Sequence, residues 1–87
     1  MTSEELKKTL ASHLPEAELH VFSDDGRHFE ALVIDPCFEG LSLVKQHQKV
    51  MKLLKEDFEG ELHAFALKTF DPGKWEKEKH RFNIQNA

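Results

Sequence analysis

The chain of 87 residues contains one cysteine, Cys37, so an intramolecular disulfide is excluded. That usage fits a reducing compartment and does not require an oxidising one. Long apolar runs are missing too: none approaches the roughly 20 residues of a membrane-spanning helix, so no membrane partner is expected. The stretch from Met1 to Lys8 lacks the apolar segment of a signal peptide and the arginine-rich character of a transit peptide. A cytoplasmic location is the expectation. Positive charge is in deficit, with 12 Lys and Arg against 16 Asp and Glu and a net charge of −4. This disfavours nonspecific nucleic-acid binding, which draws its affinity from cationic contacts. A local basic face is still available in the run Lys45, Gln46, His47, Gln48, Lys49 and Lys52. The chain shows no internal repeat, linker or low-complexity segment.

What is present describes an ordinary globular domain. Apolar residues make up 39% and charged residues 32%, with more aliphatics than a disordered segment carries. The length is that of one domain, residues 1–87, with a modest core and a small stability margin.

Local signals then order the elements. Thr2 and Glu5 stand at capping-box spacing, and Leu6, Leu10 and Leu14 repeat at one-turn intervals until Pro15 stops the helix. Leu19 to Phe22 and Phe29 to Ile34 flank an Asp-Gly turn and read as a β-hairpin. Asp35-Pro36 ends the second strand. A helix is predicted from Gly40 and Ser42 to about Glu56, with a short extra helix allowed for near Gly40 to Ser42. Its apolar stripe is read as Val44, His47, Val50, Met51 and Leu54. Leu62 to Thr69 forms a third strand. Asp71-Pro72 then gives an N-cap and a first-turn proline. Trp75 and Phe82 anchor this last helix, and the tail after about residue 82 is expected to fray.

The predicted class is therefore α+β, in the order α-β-β-α-β-α with a three-stranded mixed sheet. A β-α-β unit with neighbouring strands is parallel. His28 at the start of the second strand and His63 near the start of the third are thus expected at one end of the sheet.

A set of motifs follows this order. Phe38-Glu39-Gly40-Leu41-Ser42 is followed by His47, nine residues after Phe38, then by Leu62-His63-Ala64-Phe65-Ala66-Leu67, then by Thr69, Pro72 and Trp75. Together they resemble the signature of the BolA family, over nearly the whole chain from the first helix to Trp75. The turn Asp24-Asp25-Gly26-Arg27-His28-Phe29 resembles the short-loop bacterial subgroup. The resemblance implies a fold similar to a class II KH domain. It also implies a monothiol glutaredoxin as partner and a [2Fe-2S] cluster shared with it, not held by the isolated chain. The glutaredoxin supplies a cysteine and glutathione supplies its thiol. The BolA-type chain supplies a histidine matching His63 and often a second His or Cys from the first hairpin loop, a role that only His28 fits here. A homodimer and DNA are further partners that such a chain admits, in stress or iron regulation.

Each residue has a plainer reading beside the functional one. A lone strand histidine is usually a half-buried polar residue, and only the resemblance favours His63 as a ligand. Imidazole suits iron, and Rieske centres use histidine in this way. For His28, an idle exposed ring beside a turn and a second ligand are equally supported. His47 falls in the helix stripe and reads as structural, its ring packing at the core edge. His13, His20 and His80 have no partner at ligand spacing, and no histidine pair makes a compact zinc motif. Cys37 reads as a quiet, partly buried thiol. Glu4, Glu5, Glu16, Glu18, Asp24 and Asp25 read as solvated carboxylates. Ser42 and His47 lack a third triad member and an oxyanion site. No Gly-X-X-Gly loop exists among Gly26, Gly40, Gly60 and Gly73, which lowers the nucleic-acid reading. Nothing suggests an enzyme. The function expected is a cluster-sharing adaptor, and the alternative is a DNA-binding regulator that uses the helix of residues 43–55.

Overall fold

The computed structural model describes residues 2–23, 25–58 and 65–82. The elements are α1 (Ser3–His13), β1 (Glu18–Phe22), β2 (Phe29–Ile34), α2 (Leu43–Phe58), β3 (Phe65–Phe70) and α3 (Pro72–Glu78). Short 3-10 turns at Pro36–Phe38 and Lys79–Phe82 complete the order.

The caps are those that local chemistry dictates. Thr2 accepts the Glu5 backbone N–H while the Glu5 side chain accepts that of Thr2, closing the capping box on α1. Asp71 accepts the Lys74 N–H and Pro72 opens α3. Asp35 caps the 3-10 turn through the Cys37 N–H. The short helix allowed for near Gly40 is thus this 3-10 turn, a few residues earlier.

The sheet order is β1-β2-β3. β1 and β2 pair antiparallel, with Val21 opposite Ala31. β2 and β3 pair parallel, from Phe29 opposite Phe65 to Ile34 opposite Phe70. The third strand was predicted from Leu62, and residues 62–64 lie outside the described residues, as does the tail after Phe82.

Helices cover both faces of the sheet, so the central strand β2 is buried on both sides and reads as a nearly continuous apolar run. On one face Leu6, Leu10 and Leu14 of the α1 region pack with Val50, Leu54 and Phe58 of α2 against Leu19, Phe29 and Val33. Each such fully buried leucine contributes roughly 1.5–3 kcal/mol. On the other face Leu32, Ile34 and Phe70 meet Trp75 of α3, with Phe82 packed beside them. Trp75 docks α3 on the sheet as predicted, with ring centroids 5.3 Å from Phe70 and 5.6 Å from Phe82.

The stripe of α2 needs correction. Val44 is two-thirds exposed, while Gln46 is buried. The buried ladder is Gln46, Val50, Leu54 and Phe58, one residue per turn. Gln46 donates to the Leu41 carbonyl at 2.8 Å and more weakly to that of Phe38 at 3.3 Å. Its own carbonyl accepts the hydroxyl of Thr69, also buried, at 2.6 Å. This bridge ties the start of α2 to β3 and removes Gln46 from the basic face. Among the described residues no helix is long and apolar enough to cross a membrane.

Candidate functional site

α3 has seven residues, too few to cover the whole of its sheet face. It shields the ends of β2 and β3, and among the described residues no helix covers their beginnings on this face. The uncovered part is a hollow of about 290 Å³ lined by Phe22, Ser23, His28, Phe29, Glu30 and Ala66. Phe22, at the end of β1, is 44% exposed there.

His28 stands at the rim of this hollow, one residue before β2, with its side chain 77% exposed. The turn before it is built around Asp25. One carboxylate oxygen of Asp25 accepts the backbone N–H groups of Arg27 at 2.8 Å and His28 at 2.9 Å. The other lies 2.9 Å from His28 Nδ1. Ser23 Oγ accepts the Gly26 N–H at 2.8 Å, and Gly26 takes a positive φ of 75° that suits glycine. The His28 backbone N–H, the His28 ring and the Arg27 N–H hold the Asp25 carboxyl well below the usual carboxylate range. Asp25 is exposed, as the sequence reading had it, but that reading missed its hydrogen bonds to the turn and to the His28 ring. An Asp three residues before a His, across a Gly turn, was the available signal.

His63, the other predicted ligand, lies outside the described residues. Its place in the chain is two residues before Phe65, the partner of Phe29 in the parallel ladder. The beginnings of β2 and β3 do share one end of the sheet, as expected.

The remaining candidates are placed plainly. His47 is half-buried in a second hollow with Leu43, Lys68 and Lys74. His20 bonds Glu18 at 2.7 Å and stacks on Phe22, 6.5 Å away, with Trp75 at 6.2 Å. Burial and Asp35 push the Cys37 thiol up, and the nearby Lys49 only partly offsets this. A small thiolate fraction at neutral pH accords with a quiet thiol. Among the described residues no three His, Cys, Asp or Glu side chains converge on a metal position. His28 can therefore offer one ligand, and the remainder of a metal site would have to come from elsewhere.

Comparison with known proteins decides the family. The model of the BolA family, described as "BolA-like protein", matches residues 3–74. This chain belongs to the BolA family. Among BolA relatives it is 32% identical to the acid stress protein IbaG of Escherichia coli over 80 residues, covering 91% of this chain and 94% of the relative. It is 33% identical to the DNA-binding transcriptional regulator BolA of Haemophilus influenzae over 48 residues, covering 55% of this chain and 47% of that protein. The structure of a BolA homologue from Coxiella burnetii superposes with a TM-score of 0.69 at 35% identity, covering 87% of this chain and 97% of that one. The α+β fold predicted for a BolA-type chain is thus the fold observed. These BolA-family relatives carry the names of a stress protein and a regulator, not of enzymes.

Proposed function

We propose that the chain is a non-enzymatic, cytoplasmic adaptor that binds a monothiol glutaredoxin with its glutathione and co-ligates a [2Fe-2S] cluster through His63, with His28 as the second histidine. The observation that carries this reading is the exposed imidazole of His28 at the open sheet end, with one nitrogen anchored on Asp25 and the other without a protein partner among the described residues. An imidazole so arranged is what a histidine-bound metal needs, because the anchored nitrogen orients the ring and raises its basicity. The parallel register supports His63 as its companion, since β3 begins two residues after it beside the start of β2. The hollow bordered by Phe22 and Ala66 offers a partner apolar surface next to the histidine. Replacing cysteine by histidine at an iron also removes negative charge and tends to raise the potential. The test is to mix the colourless chain with cluster-loaded monothiol glutaredoxin and record visible absorption and circular dichroism. New bands that saturate at a fixed ratio are expected, and an unaltered spectrum would count against the proposal.

A second reading is favoured by one observation. Lys45, Lys49, Lys52 and Lys55 are all exposed along α2. A DNA-binding role on this face predicts a sequence-dependent gel shift that weakens steeply with salt. Charge reversal at Lys45 and Lys49 together should remove the shift, and neutralising either lysine alone should lower the salt slope by about one unit. A shift that the double variant leaves intact would sink this reading.

A further inference from the structure

The geometry points to Asp25 as a positioning residue that fixes His28 in the Nδ1–H tautomer and presents Nε2 as the donor atom. The purpose of this device rests on the adaptor reading above, but the device itself belongs to the free protein.

An ionised carboxylate only accepts hydrogen bonds. Asp25 Oδ2 lies 2.9 Å from His28 Nδ1, so a neutral ring must keep its proton on that nitrogen. With the proton on Nε2 instead, two lone pairs would face each other at that distance. The ring is 77% exposed, and no other described residue hydrogen-bonds it, so Asp25 is what sets the tautomer. The anchor acts at two points, because the same carboxylate also takes the backbone N–H of His28 at 2.9 Å. This limits rotation of the ring about its side-chain bonds. A ligand nitrogen with its lone pair outward and its opposite N–H on a carboxylate is the outer-shell arrangement common to metal-binding histidines.

Asp25→Asn gives a sharp test, since it keeps the shape and changes one group. Asparagine has a single acceptor oxygen. Two backbone N–H groups compete for it against one ring nitrogen, so the oxygen stays on Arg27 and His28. The amide NH2 then faces Nδ1, which must accept, and the proton moves to Nε2. Asp25→Ala removes the anchor and leaves a mixture of tautomers. Long-range proton–nitrogen correlation spectra of the free, nitrogen-15-labelled protein, taken where the ring is neutral, read this directly. The wild type should show a protonated Nδ1 and a lone-pair Nε2 at His28, and Asp25→Asn should show the reverse. His13 serves as the internal reference. A wild-type ring protonated at Nε2, or one tautomer pattern shared by all three proteins, overturns the inference.

Mixing with cluster-loaded glutaredoxin separates the two levels. Asp25→Asn should weaken the spectral titration about 10–100-fold, the usual effect of losing an outer-shell partner. If the wild type gives no titration, the adaptor reading fails while the tautomer result stands. If wild type and Asp25→Asn titrate alike, the positioning role fails while the adaptor reading stands.

Discussion

Replacing His63 with alanine is expected to abolish the visible spectral change that the wild-type chain produces with cluster-loaded monothiol glutaredoxin. An outer-shell partner of a metal ligand is worth about 10–100-fold in affinity, and a ligand removed outright should exceed that range. Methyl cannot replace imidazole at iron, and water or a distant side chain would give a different spectrum. His28→Ala should act in the same direction and exceed the loss in Asp25→Asn, because it removes the ring nitrogen and not only its anchor. Circular dichroism in the far ultraviolet and the urea midpoint of each variant show whether the fold is kept. Retained folding with lost titration is the expected pair. Retained titration in His63→Ala would remove that residue from the site.

A large loss of stability is expected from Gln46→Leu, a change of similar volume at a buried position. The Leu41 carbonyl and the Thr69 hydroxyl would both lose their partner. The Phe38 carbonyl is spared, because it also accepts the Leu41 N–H at 3.1 Å. One buried group and one part-buried group left unsatisfied, at roughly 1–3 kcal/mol for a fully buried one, make the loss about 2–4 kcal/mol. Domains of this size have only about 4–13 kcal/mol in total, at 0.05–0.15 kcal/mol per residue. Urea unfolding at unchanged slope measures the difference. Adding Thr69→Val should recover part of the loss, because it removes one of the orphaned groups. A positive coupling on the order of 1 kcal/mol between the two positions is the expected signature. Strict additivity would mean that the bridge does not act as a unit.

The contrast between Gln46 and Val44 shows what sequence patterning can see. The leucines of α1 and the strand Phe29–Ile34 were legible because residue type, periodicity and turn chemistry agreed there. So were the caps at Thr2 and Asp71, where short-range hydrogen bonding decides. In α2 the spacing from Val50 and Leu54 runs back to Gln46, but hydropathy assigned glutamine to the surface and valine to the core. Only tertiary structure supplies the Thr69 hydroxyl and the loop carbonyls that make glutamine fit inside. The same limit applies to the site. The shared sheet end was legible from strand order, and so was the place of His28 just before the second strand. Asp25 was not, because its importance lies in how a tight turn folds a carboxylate onto a ring three residues later.

The adaptor reading requires that an imidazole of this chain bind iron held jointly with a second protein. Pulsed electron paramagnetic resonance of the reduced mixed complex detects such a bond, with nitrogen-15 histidine incorporated only in this chain. A nitrogen-15 hyperfine coupling of directly bound imidazole is expected with the wild type and is expected to vanish in the double variant His63→Ala, His28→Ala. A reduced complex whose spectrum carries no coupling from the labelled histidines would contradict the reading.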